Sequence, residues 1–375
     1  MIFKNKQIVL LFFFSISNCC IACSTEEPTT GELEDLTILA GADDQTTEIE
    51  NSDDYLSEIK LADPYILRDG DYYYAYGTLE AQKGFHSYKS HDLKIWEHLG
   101  FVLEKKNTTA SGDFWAPEVY KINETYFMFY AADRNLYVAK SDSPEGPFLQ
   151  LGTMTLYRNG IDPHLYIEGA KKYLFFVNTS GKNSVWMGEL NDDLLSLKEE
   201  TIHECLFPQG WEKNVNEGPF MYKNGNTYYL TYTGDGFTSK NYGVAVATSS
   251  DVMGAWEKAS YNPVLQKREP WVGTGHHSLF VDKDGVNRIA FHAHNDNNSV
   301  NPRRMYIGRF HIDGKGVFTV ENTFIVPKLK EYLASVRSSH SSISVDKSAY
   351  SVSGVPQNKT QKGISIKNKK KYINH

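Results

Sequence analysis

Cysteine is scarce in this chain: four in 375 residues, three of them at positions 19, 20 and 23. Only Cys205 lies beyond, so no disulfide framework can staple the body of the chain. Stability must come from buried core area, which a domain of roughly 300 residues can supply. The Cys/His spacing of a structural zinc site is also missing. Long apolar runs are nearly absent, and the one at residues 8–16 is too short to cross a bilayer. Helical periodicity is almost lacking; residues 192–200 form at most one short helix. Positive charge is not in excess: 39 Lys and Arg against 46 Asp and Glu leave a net charge of -7. That balance argues against nucleic acid as a partner, and weakly against a polyanionic substrate.

Aromatic residues are abundant instead. They make up 13% of the chain, with 24 Tyr and 20 Phe, and suit strands better than helices. At 41% hydrophobic and 23% charged, the chain reads as globular. Residues 1–23 form a leader: Lys4 and Lys6 precede the apolar run, and Cys20-Ile21-Ala22-Cys23-Ser24 follows it. Ile-Ala before Cys resembles a bacterial lipoprotein signal, with Cys23 lipidated after cleavage; plain secretion with a nearby cut is the alternative. The expected location is outside the cytoplasm, as an outer-membrane or cell-surface lipoprotein, or periplasmic. Membrane attachment would then run only through the lipid. Residues 24–53 are acidic and polar, the composition of a flexible tether. Residues 54–328 carry a dense strand pattern. Residues 329–375 turn Ser-rich and then Lys-rich, a polar tail in which Ile343 and Val345 hint at a short edge strand or at disorder.

The body contains an internal repeat. An aromatic strand recurs every 50 to 60 residues, from Tyr72-Tyr73-Tyr74-Ala75-Tyr76 through Tyr126-Phe127-Met128-Phe129-Tyr130 to Arg288-Ile289-Ala290-Phe291-His292. A turn signal precedes each, such as Asp69-Gly70-Asp71 or Asn224-Gly225-Asn226. Five units of about four antiparallel strands predict an all-β, five-bladed β-propeller. A two-sheet sandwich does not explain a repeat of this length.

In a propeller the first residues of each innermost strand line one mouth of the central channel. Here those strands begin near Asp63, Trp115, Asp162, Glu217 and His276-His277. Asp before Pro commonly starts a turn or strand, so Asp63 and Asp162 singly say little. Three carboxylates in one register around one axis say more. Burial among aromatics raises carboxyl pKa values and mutual repulsion separates them, so one acid stays protonated while another stays ionised. Glycosidic hydrolysis needs that division. Trp115 serves as core or as a platform for a sugar ring. His292 and His294 share one strand face at period two, and His292 is placed with substrate. A hard cation at the axis, held mostly by water and one His, is compatible with His276.

These residues resemble glycoside hydrolase family 43. The elements are Ala-Asp-Pro-Tyr at 62–65, Trp-Ala-Pro-Glu at 115–118, Ile-Asp-Pro-His at 161–164, Asn-Glu-Gly-Pro at 216–219, Gly-x-Gly-His at 273–276 and Asn-Pro-Arg-Arg-Met-Tyr-Ile at 301–307. The resemblance implies an inverting enzyme with Asp63 as general base, Glu217 as general acid and Asp162 tuning and orienting Glu217. It implies that Arg303, rather than Arg304, touches sugar hydroxyls. It places His276, with His277 as runner-up, against a calcium-centred water cluster under the pocket, and no organic cofactor. The expected substrate is an oligo- or polysaccharide carrying terminal pentoses, with an arabinofuranosidase or xylosidase activity. An inverting geometry needs about 6.5–9.5 Å between the Asp63 and Glu217 carboxyls. A fructan-acting hydrolase and a non-catalytic surface glycan-binding propeller are the competing readings.

Overall fold

Five times along the chain, a strand of apolar alternation runs into one residue of positive φ and returns. Those residues are Gly70 (φ 59°), Asn123 (55°), Gly169 (59°), Gly225 (59°) and Gly285 (77°). Glycine and asparagine are the residues that tolerate this backbone, so the turn signals of the sequence have a direct physical cause. The structure, a computed structural model, describes residues 56–330 and two short strands, Ile364–Lys367 and Lys370–Ile373. The expected leader and tether, with Cys23, lie outside the described residues, as do Ile343 and Val345.

Each turn joins the two inner strands of an antiparallel sheet, and five such sheets form the five blades of a β-propeller. The inner strands are Ala62–Asp69, Trp115–Ile122, Gly160–Glu168, Asn216–Asn224 and Gly275–Val281. Their partners are Tyr72–Thr78, Thr125–Ala132, Lys171–Asn178, Thr227–Gly234 and Asn287–Ala293. The expected short helix at 192–200 is a single 3-10 turn, Glu199–Thr201. The strand Lys328–Lys330 carries Leu329 and Lys330, two residues expected in the polar tail, into the first sheet. It pairs in parallel with Ile95–Glu104 of the first blade and antiparallel with Leu56–Glu58. The first sheet thus has six strands and holds the two ends of the described body side by side.

The aromatic strands of the repeat pack between blades. One cluster joins Tyr65, Tyr76, Tyr130, Phe220, Phe291 and Tyr306 from four blades. Burying a side chain of this size is worth about 1.5–3 kcal/mol, and among the described residues the one cysteine is free, so no disulfide adds to it. Trp96 is fully buried in the first blade, and its indole donates to Leu93 O at 2.9 Å. Trp96→Ala should therefore cost about 3–5 kcal/mol of unfolding free energy, read from urea denaturation. A cost below about 1 kcal/mol would mean that the first blade relaxes around the hole.

Candidate active site

Every inner strand loses register with its partner near its first residues. The breaks fall at Ala62/Tyr65, Trp115/Glu118, Ile161/His164, Glu217/Phe220 and Gly275/His277. In each break one residue takes a left-handed φ: Asp63 (51°), Ala116 (44°), Asp162 (53°), Gly218 (54°) and His276 (40°). Bulges of this kind re-aim side chains. For a non-glycine residue the backbone is costly, about 1–3 kcal/mol, and must be held by its surroundings. Neighbouring blades do the holding. Asp63 N donates to His292 Nδ1 (3.1 Å), Ala116 N to Thr78 Oγ1 (3.0 Å), Gly218 N to Asp162 Oδ2 (3.0 Å) and His276 N to Thr233 Oγ1 (3.0 Å).

This geometry corrects the expectation of one register for three acids. Asp63 and Asp162 are equivalent, but in the fourth blade Gly218 holds the bulge position. Glu217 stands one residue earlier, paired with Thr233 as Ala62 is paired with Thr78. All three carboxylates nevertheless line one pocket of about 460 Å³, together with Trp115, His276 and Arg303.

Inside it, charges are close. Arg303 Nη1 donates to Asp63 Oδ1 at 2.9 Å. His276 Nδ1 lies 3.3 Å from Asp63 Oδ1 and 3.9 Å from Asp162 Oδ2. Tyr242 OH donates to Glu217 Oε1 at 2.7 Å, and Asn183 Nδ2 donates to Glu217 Oε2 at 3.4 Å. Burial alone would raise the Asp63 carboxyl, but Arg303 and His276 outweigh it and hold the group well below the usual carboxylate range. Glu217 is pushed up to about 7, by burial first and then by the charge of Asp162. Asp162 is raised by burial, an effect that His276 opposes and Asp63 reinforces. Burial would lower His276, yet the three carboxylates override it and raise the imidazole.

Two further expectations need correction. His292 does not face the pocket: it is fully buried, accepts the Asp63 amide and stacks on Tyr242 with centroids 5.6 Å apart. Burial, then Arg303, pushes it down to about 3, so it is a neutral strut behind Asp63. His276 does not hang beneath the pocket but sits in its wall between two carboxylates. His277 is the buried neighbour, pushed down to about 3 by burial, with Nδ1 lacking a partner among the described residues. Among the described residues no group of three or more His, Cys, Asp or Glu is arranged to hold a metal. Arg304 turns away and donates to Asn295 Oδ1 at 2.8 Å, leaving Arg303 in the pocket.

Sequence reasoning missed Arg134, Asn183 and Phe237 in the pocket wall and Tyr242 behind Glu217. Asn183 and Tyr242 directly precede the third strands Ser184–Glu189 and Gly243–Ser249. Extending the mouth argument from first strands to third strands would have found both. Arg134 and Phe237 lie in connections without periodic signal.

The family model for glycosyl hydrolases family 43 matches residues 56–318. A solved endo-1,4-beta-xylanase from Bacteroides thetaiotaomicron is 38% identical with a TM-score of 0.71, covering 73% of this chain and 98% of that one. A thermostable family-43 glycoside hydrolase is 29% identical with a TM-score of 0.67, over 72% and 95% of the two chains. Among curated relatives, a xylan 1,3-beta-xylosidase of Vibrio sp is 28% identical over 55% of this chain, which spans only 42% of that protein's length. A non-reducing end alpha-L-arabinofuranosidase of Bacteroides ovatus is 24% identical over 59% of this chain and 44% of its own length. The chain belongs to glycosyl hydrolase family 43 and is a glycoside hydrolase.

Proposed function

We propose that this enzyme removes terminal pentose units from plant-type polysaccharides with inversion, as an α-L-arabinofuranosidase or β-xylosidase does. One observation carries the reading: Asp63 and Glu217 share a pocket, yet their environments drive their proton affinities in opposite directions. Asp63, ionised beside Arg303, takes a proton from a water on one face of the sugar. Glu217, protonated near neutral pH, delivers its proton to the leaving oxygen on the other face. Asp162 raises Glu217 by its charge and fixes the backbone beside it through the Gly218 amide. Trp115 offers an apolar ring to the sugar face. The relatives named for β-xylosidase and arabinofuranosidase activities support the pentose class.

A water-held cation would find His276 in the pocket wall, or the unpartnered Nδ1 of the buried His277, as its protein contact, and no step is routed through such an ion. We propose also that the leader exports the enzyme and that Cys23 carries a lipid, on the strength of Lys4, Lys6, the apolar run and Ile21-Ala22-Cys23. Cys23→Ala should move the enzyme from the membrane to the soluble fraction; unchanged membrane partition would reject the anchor.

Substitution, product stereochemistry and pH dependence test the chemistry. Asp63→Asn and Glu217→Gln should each lower kcat by roughly 10²–10⁴-fold with circular dichroism unchanged. In a proton NMR time course, wild-type enzyme should first release the inverted anomer. Wild-type-like turnover in either variant would refute the assignment. For pH, the acid must be protonated and the base ionised. The rate should fall as pH rises through about 7, where Glu217 loses its proton. On the acid side it should hold until the pH drops below the ordinary aspartate range, because the Asp63 carboxyl is depressed. In Asp162→Asn the alkaline limb should move to lower pH, since a charge that raises Glu217 is gone; an unmoved limb would remove Asp162 from that role.

A further inference from the structure

Glu217 marks the side of the pocket where the bond breaks, because a general acid must sit at the leaving oxygen. Asn183 reaches Glu217 Oε2 from the third blade and lines the pocket there. The next residue outward is Lys182, which is exposed. Its ammonium lies 5.1 Å above the ring of Phe207. Phe207 is 51% exposed, among the most exposed large hydrophobics of the described residues, and it is not part of the pocket lining. Its position is fixed by backbone: Leu206 ends the outer strand of the third blade against Val185, and Phe207 O accepts Lys258 Nζ at 2.8 Å. Lys258 in turn donates to Asn216 Oδ1 at 2.9 Å, beside Glu217. The acid and the exposed ring are thus tied to one framework.

A flat apolar ring exposed to water, with an ammonium at its face, suits one ligand class well. Sugar rings present C–H faces to aromatics and hydroxyls to a cation. We propose that Phe207 and Lys182 form a subsite for the leaving portion of the substrate, binding a saccharide unit beyond the scissile bond on the Glu217 side. The inference rests on the glycosidase reading above and goes beyond it. The enzyme would distinguish a pentose on a saccharide chain from the same pentose on a small leaving group. Interaction with the distant unit positions the glycosidic oxygen against Glu217, so part of the gain appears in kcat.

The test compares leaving groups. Wild-type enzyme, Phe207→Ala and Phe207→Trp are assayed on p-nitrophenyl α-L-arabinofuranoside, p-nitrophenyl β-D-xylopyranoside, arabinotetraose and xylotetraose. Phe207→Ala should lose about 3- to 12-fold in kcat/KM on the tetraose that wild type cleaves, and less than about twofold on the matching aryl glycoside. Phe207→Trp, which keeps a ring, should restore most of the tetraose rate. Because Phe207 is solvent-exposed, loss of fold is not an expected confounder, and circular dichroism checks it. Equal losses on both leaving groups, or no loss on the tetraose, would overturn the subsite while leaving the glycosidase reading intact. Wild-type enzyme inert on all four probes would overturn both.

Discussion

The site depends on a backbone defect repeated five times. A regular inner strand would alternate its side chains between the two blade faces and send few of them along the channel axis. One extra residue in left-handed conformation breaks that alternation at the mouth of each blade, at Asp63, Ala116, Asp162, Gly218 and His276. The conformation is unfavourable locally, and four of the five bulge amides are claimed by a group from the adjacent blade. The ring closes on itself this way, with His292 of the last blade holding Asp63 of the first. Blade packing and site geometry are therefore one problem solved by the same bonds.

Electrostatics then divides labour among chemically similar groups. Of the three basic side chains that line the pocket, Arg134, His276 and Arg303, the last two contact Asp63. Glu217 receives neutral partners, Tyr242 and Asn183, and feels Asp162. Burial is common to all three acids, so the asymmetry comes from where Arg303 and His276 are placed. His276 sits between Asp63 and Asp162 and keeps two carboxylates from facing each other uncompensated.

Much of the fold was legible because it repeats. Period-two aromatic strands and glycine or asparagine turns mark each blade locally, and radial closure follows from counting units. The three acids and Trp115 were legible because Pro steps flag the starts of inner strands. What stayed hidden was set by three-dimensional neighbours. His292 and His276 look alike as histidines near glycine or on an alternating strand, yet one is a buried neutral strut and the other lies in the pocket wall, where carboxylates raise its proton affinity. Phe237 and Arg134 enter from connections whose paths no periodicity reports. Leu329 and Lys330 looked like tail because a three-residue strand, even one paired on both sides, carries almost no pattern.

Gly218 has one more consequence. A β-carbon there would lie 3.1 Å from the imidazole of His276, in a backbone conformation that side chains rarely adopt. A carboxyl-bearing residue at this position of the fourth blade would have to push that imidazole aside by a few tenths of an ångström. The acid is displaced to the preceding residue, and a glutamate's additional methylene supplies reach that an aspartate lacks. Two short acids and one long one in this pocket thus accompany a single imidazole pressed against a peptide.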